Sequence, residues 1–309
     1  MRTRRTTAAA LALLTLTAVA ACDKQGPQRG DTSDTSGTSG YTVKKGVSLS
    51  GSPAFDRAKK RGTLVIGVKA DQPFLGFEDL ADGTRSGFDI EIAKMVAAAL
   101  GFSDKQIKFK TIPSTNRETA ISNGEVDYYV GTYTINEERK KKVSFAGPYY
   151  VAGQDLLVNA DNSDITGPQT IKGKKVCSAT GSTSIDRIKT YGPEVVAFDT
   201  YSQCVDKLLD KQVDAVTTDD AILKGYAAMN QDKLKVVGKT FSEEPYGIGL
   251  GKDDNVLRDA INDALQTNVK NGNWKKAYRN TLGKAGSPLF ICFSSRQASD
   301  SCTRVQETP

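Results

Sequence analysis

The chain of 309 residues contains no histidine at all. That absence excludes histidine triads, histidine general bases and histidine-ligated metals together. Cysteine is scarce, five residues with no Cys-x-x-Cys spacing, which argues against a metal knuckle or a dithiol redox site. The main apolar run, Ala8 to Ala21, is too short to span a bilayer as a stable anchor. A strong charge of either sign is missing too. The formal net charge of +6 includes Arg2, Arg4 and Arg5; without them 39 basic residues stand against 36 acidic ones. So even a balance argues against nucleic acid as the main partner. What remains is 38% hydrophobic and 25% charged, an ordinary composition for a soluble body. The length suffices for one large domain or two lobes, with a core that needs no metal or disulfide to hold it.

Residues 1–21 read as a signal peptide and are set aside from the fold. A short basic stretch precedes the apolar run, which ends in Val19-Ala20-Ala21-Cys22. That ending resembles the bacterial lipobox, in which the cysteine sulfur receives a diacylglycerol and cleavage leaves Cys22 as the new N-terminus. The Arg4-Arg5 pair lacks the apolar residues that follow a twin-arginine signal. From Asp23 to about Gly40 almost nothing is apolar, so residues 22–52 are expected to form a lipidated, flexible tether. The expected location is the outer face of the cell membrane.

The globular body begins near Pro53. Thr63 to Val68 has the pattern of a buried strand. Ser86 to Leu100 reads as a helix, with Ile92, Met95, Val96, Ala99 and Leu100 on one face and Gly101 at the stop. A strand from Gln106 to Thr111 leads to Thr115-Asn116-Arg117-Glu118, the pattern of a capping box opening a second helix. Strands are expected near Val126, Leu156, Lys175, Val195, Val213 and Leu234, and helices near Ser184, Cys204, Ala221, Val256 and Trp274. Such alternation predicts an α/β fold with mostly parallel sheets. Gly247 to Gly251 lacks the spacing of a dinucleotide loop and is expected on a strand.

Gly87-Phe88-Asp89-Ile90-Glu91-Ile92-Ala93-Lys94-Met95 and the residues to Leu100 match the signature of extracellular solute-binding proteins of family 3. Val126 to Lys140 resembles the central ligand segment of the same family, and Phe145-Ala146-Gly147-Pro148-Tyr149 its Phe-x-x-Pro-Tyr. The resemblance runs from about Phe55 to Gly283 and is nearest to glutamate-binding lipoproteins of the actinobacterial type. It implies a two-lobed fold of the type 2 periplasmic-binding-protein class, with a hinge and an interlobe cleft. Expected boundaries are residues 53–151 and 249–283 for the first lobe, 152–248 for the second, and 284–309 for an atypical tail. It also implies a monomer without cofactor or metal that hands a free L-amino acid to the permease subunits of an ABC importer.

The resemblance assigns roles residue by residue. Arg139 matches the arginine that clamps an α-carboxylate, a task suited to a planar guanidinium. Thr132 and Thr134 match its neighbours in the same loop. Thr180, Gly181 and Ser182 resemble a Ser-Gly-Thr-Gly-Ser segment that offers backbone donors. Asp219 matches the aspartate that pairs with the α-ammonium. Taken alone, Arg139 stands in a run with Lys140, Lys141 and Lys142 that reads as a solvated face, and Asp219 reads as a helix cap. Asp71 and Phe74 match positions that touch the solute's side chain. Ser114 and Arg117 resemble the Ser-x-x-Arg of glutamate and aspartate receptors, where a second arginine reads a distal carboxylate. Tyr201 and Lys69 are weaker candidates for the same pocket. Glutamate, then aspartate, is the expected solute. Asp71 argues the other way, toward a basic or amide ligand, unless it pairs elsewhere. Receptors for glutamine or another polar amino acid, and cyclohexadienyl-dehydratase-like enzymes on the same scaffold, are the alternatives. Cys177 on a strand and Cys204 on the next helix could be bridged within one lobe, which would contribute roughly 2–4 kcal/mol.

Overall fold

The computed structural model describes residues 40–287 in full, and the backbone of 290–291 and 303–304. The expected signal peptide, residues 1–21, and Cys22, Cys292 and Cys302 lie outside the described residues. The first stretch comprises α1 (Pro53–Arg61), β1 (Leu64–Val68), the short strands β2 (Asp71–Gln72), β3 (Gly76–Glu78) and β4 (Arg85–Ser86), and α2 (Phe88–Ala99). It continues through β5 (Ile107–Thr111), α3 (Arg117–Ser122), β6 (Tyr128–Tyr129), α4 (Glu137–Lys140) and β7 (Ser144–Ala152). The second comprises β8 (Gln154–Asn159), β9 (Lys175–Ala179), α5 (Thr183–Lys189) and β10 (Glu194–Phe198). After it come α6 (Tyr201–Leu209), β11 (Ala215–Asp219), α7 (Asp220–Met229) and β12 (Leu234–Val236). The chain then returns through β13 (Glu244–Leu250), α8 (Asn255–Lys270) and α9 (Asn273–Asn280). A last pair, β14 (Phe290–Ile291) and β15 (Thr303–Arg304), is antiparallel.

Two five-stranded sheets result, ordered β5-β1-β6-β13-β7 and β10-β9-β11-β8-β12. Both are predominantly parallel, as the alternation of strands and helices leads one to expect, with one strand of each reversed. Four strands of each sheet run the same way and one opposes them: β13 runs against its neighbours β6 and β7, and β8 against β11 and β12. The strands that carry the chain between sheets enter from the opposite end, so they must pair antiparallel. The return comes earlier than residue 249: β13 pairs with β7 from Glu244 opposite Ala152 onward, with Tyr246, Ile248 and Leu250 buried there. On the first sheet, Trp274 packs edge-on to Phe88 at 5.3 Å and donates Nε1–H to the Tyr149 carbonyl at 3.0 Å.

Residues 40–52 are not a tether. Tyr41 donates its hydroxyl to Glu91 at 2.5 Å, the Lys44 amide bonds the Ala98 carbonyl at 2.9 Å, and Val47 and Leu49 pack on the core. Three apolar side chains in a polar stretch are enough to seat it against α2. The capping box at Thr115 does not form either. Ser114–Asn116 is a 3-10 turn, and Glu118 turns instead toward Arg139, 3.4 Å away. Cys177 and Cys204 are bridged as their spacing allowed, with Cα atoms 5.5 Å apart, tying α6 to β9. Among the described residues no helix is long and apolar enough to cross a membrane.

Candidate functional site

Almost every candidate stands where a parallel strand ends. Ligands of open α/β sheets sit outside the carboxyl ends of the strands, where loops leave backbone and side chains free to converge. In the first sheet, β1 runs out into Lys69 and Asp71, β5 into Ser114 and Arg117, and β6 into Thr132 and Thr134. In the second, β9 runs out into Thr180–Ser182, β10 into Tyr201, and β11 ends at Asp219.

The first sheet contributes cations. Arg117 is 2% exposed; its Nε donates to the Ser114 carbonyl at 3.1 Å and its Nη2 to the Gly181 carbonyl at 3.1 Å. The guanidinium lies 4.3 Å over the Tyr133 ring. Arg139 is buried although Lys140, Lys141 and Lys142 beside it are exposed, so the run is not one solvated face. Asn136 caps α4 by accepting the Arg139 amide, which aims the side chain inward. There Nη1 donates to the Thr134 carbonyl at 2.7 Å and Nη2 to the Gly181 carbonyl at 3.2 Å. Burial and the nearby Arg117 push its pKa down to about 10. Lys69 is equally buried, and its Nζ donates to Ser114 Oγ at 2.6 Å. Burial first, then Arg117, lowers its pKa to about 7. Thr132 sits at φ 46, a left-handed conformation held by its amide bond to Asp89 Oδ2 at 3.1 Å.

From the second sheet the buried acid Asp219 reaches the site, with the buried Asp220 next to it. Asp219 precedes α7 but makes no capping hydrogen bond, so the simple reading as a helix cap fails. Its Oδ2 accepts from Tyr246 at 2.7 Å, while Oδ1 is buried without a hydrogen-bond partner. Burial and the negative Glu244 raise its pKa to about 8. Arg139 acts on it only weakly. A buried carboxylate of this kind is costly unless a cation joins it. Ser182 caps α5 by accepting the Ser184 amide, and the Tyr201 hydroxyl donates to Ser182 Oγ at 2.9 Å. Thr180 gives its amide to the Phe198 carbonyl. A cavity of about 650 Å³ adjoins the site, lined among others by Glu118, Arg139, Thr180, Gly181 and Ser182.

Asp71 behaves differently from the rest. Its Oδ2 accepts the Tyr201 amide at 2.9 Å and the Ser202 amide at 3.3 Å, both at the start of α6. Phe74, half-buried at φ 64, gives its carbonyl to the Phe88 amide. Several participants escaped the sequence reading. Gln72 accepts the Thr132 hydroxyl at 3.2 Å and leaves its own buried Nε2 unpartnered; Asp89 also accepts the Tyr149 hydroxyl. Tyr246 could not be found, since it reaches Asp219 from a strand distant in sequence. Lys69, rated a weak candidate, carries the signal that strand ends provide.

The model of the bacterial extracellular solute-binding proteins, family 3, matches residues 64–284. The chain belongs to that family. It is 38% identical to the glutamate-binding protein GluB of Corynebacterium glutamicum over 263 residues, covering 79% of this chain and 89% of the relative. It is 39% identical over 249 residues to a glutamine-binding protein of Geobacillus stearothermophilus, covering 80% and 92%. Among solved structures, an ancestral arginine-binding protein bound to glutamine superposes with a TM-score of 0.68 at 39% identity, covering 72% of this chain and 99% of that one. Each is named as a binding protein, and this member shares their two-lobed α/β fold.

Proposed function

We propose that the chain is the substrate-binding lipoprotein of an ABC amino-acid importer. Two lobes, bounded near residues 152 and 244, close on an acidic amino acid, glutamate before aspartate, and present it to the permease. Cys22 carries the lipid that keeps the receptor at the membrane. In this reading Arg139, Thr132, Thr134 and the turn Thr180–Ser182 hold the α-carboxylate, and Asp219 holds the α-ammonium. Ser114 and Arg117, with Lys69 beside them, hold the distal carboxylate, while Phe74 and Tyr201 border the side chain.

The observation that carries the reading is the opposition of three buried cations, Lys69, Arg117 and Arg139, to the buried Asp219 carboxylate. A zwitterion supplies an ammonium to the acid and a carboxylate to one arginine; the remaining two cations favour a second carboxylate. The α6 bonds of Asp71 support the same choice, because they spend its charge on a helix start. Glutamine is the second reading, since the glutamine-binding relative is as similar as the glutamate-binding one. Calorimetric titration of the protein with the twenty amino acids tests both. Glutamate should bind most tightly, and Arg117→Ala should erase its advantage. Equal affinity for glutamine, or an intact glutamate preference in Arg117→Ala, would overturn the acidic specificity and leave the receptor function standing.

A further inference from the structure

Asp71 and α7 meet across the cleft in a contact that capture of an amino acid does not itself require. The Asp71 carboxylate accepts the first two amides of α6, Tyr201 and Ser202. Those two are the donors left over, because the Thr200 side chain already caps α6 by accepting the Gln203 amide. A carboxylate at a helix start also gains from the helix dipole. Tyr226 of α7 adds its hydroxyl, bonding both the carbonyl and the carboxylate of Asp71. Its neighbour in α7, Gly225, comes so near the Pro73 backbone that a Cβ added there would stand 2.5 Å from the Pro73 carbonyl oxygen.

That glycine is not needed by the helix it occupies. Gly225 lies inside α7 with ordinary helical backbone, where alanine is the better residue. Only the approach of Pro73, delivered by the other sheet, demands a missing side chain. The disulfide from Cys204 to β9 keeps α6 fixed to its own lobe, so Asp71 meets a rigid target.

We propose that the Asp71–Pro73 turn, seated on the start of α6 and on Gly225, is a closing latch that sets how far the lobes are shut for any solute. Asp71 thereby acts as a positioning residue and leaves discrimination to the cations behind it. The proposal rests on lobe closure around an amino acid, but its first test needs no solute. Donor and acceptor dyes on exposed positions of the two lobes report the closed fraction of the full chain, without solute and with L-glutamate, L-glutamine or L-arginine. Asp71→Asn weakens the cap; Gly225→Ala wedges α7 away from Pro73 while leaving thermal stability equal or higher, which separates the effect from misfolding. Both variants should lose closed fraction without solute. Since apparent affinity scales with the competent fraction, a roughly tenfold loss of closed form should weaken every bound amino acid by the same roughly tenfold factor. A change in preference among the three amino acids in Asp71→Asn would make Asp71 a solute contact and overturn the latch. So would a Gly225→Ala protein that closes like the wild type. A wild-type chain that binds none of the three would overturn the proposed function, while the solute-free closed fractions would still decide the latch.

Discussion

The first sheet delivers three buried cations to the cleft, whereas the second delivers the buried carboxyl of Asp219, a turn of backbone donors and the start of α6. Their support differs as well. Lys69, Arg117 and Arg139 are held by carbonyls, hydroxyls and the Tyr133 ring, contacts that orient guanidinium and ammonium groups without neutralising them. Glu118 beside Arg139, and Asp71 and Asp89 acting on Lys69, offset part of that charge. Asp219 is held by a single tyrosine, and the strongest charged influence on it is another acid, Glu244. Each half therefore stores a charge imbalance that the other half and a bound zwitterion relieve together. Such an arrangement favours closure over a charged solute in a dry cleft and disfavours closure over an apolar one.

The largest effects should come from removing one member of that opposition. Arg139→Ala and Asp219→Ala should each weaken solute binding by about 2–5 kcal/mol in calorimetry, because each leaves a solute charge buried and alone. Affinity like the wild type in either variant would mean that the clamp lies elsewhere. Next in size is the staple of the second half. Replacing Cys177 and Cys204 by alanine opens a loop with a sequence separation of 27 residues. It should cost about 3–4 kcal/mol of stability in denaturant titration, with the first half's cations untouched.

A smaller effect sharpens the contrast. The Asp219 pKa is raised to about 8 by burial, so its contribution to stability is full below the ordinary carboxylate value and is lost as pH rises through about 8. Asp219→Asn keeps the acceptor for Tyr246 but has no charge to bury. Its melting temperature should exceed the wild type only slightly near pH 5 and most near pH 9, by about 2–4 °C for each kcal/mol relieved. An advantage that is the same at both pH values would show that burial of the charge is not what strains the site.

Much of the fold could be read from the chain because its cause is local. The stripe of Ile92, Met95, Val96 and Ala99 on α2 and the run Leu64 to Val68 announce their elements by spacing alone. The missing capping box shows where local reading ends. Glu118 has the right offset from Thr115, yet a buried guanidinium far along the chain offers it a better partner. Arg139 among lysines, and Asp71 beside a cationic site, were ambiguous for the same reason: burial in one case and the α6 start in the other come from the meeting of distant segments. Tyr246 and Gln72 gave no signal, since an aromatic or amide on a strand is ordinary core material until its hydroxyl or amide finds a site.

The central claim is that the first sheet's cations read a second carboxylate. Competition calorimetry between glutamate and glutamine at pH 6 and pH 8 tests it most directly. Binding of either amino acid requires Asp219 ionised, so both should tighten together as pH rises toward about 8. Only glutamate should call on a charged Lys69, whose pKa of about 7 means the charge is present at pH 6 and largely gone at pH 8. Glutamate should therefore be preferred at pH 6, with the ratio to glutamine shrinking by up to about tenfold per pH unit above 7. Glutamine binding as tightly as glutamate at pH 6, or a ratio that does not move with pH, would contradict the account.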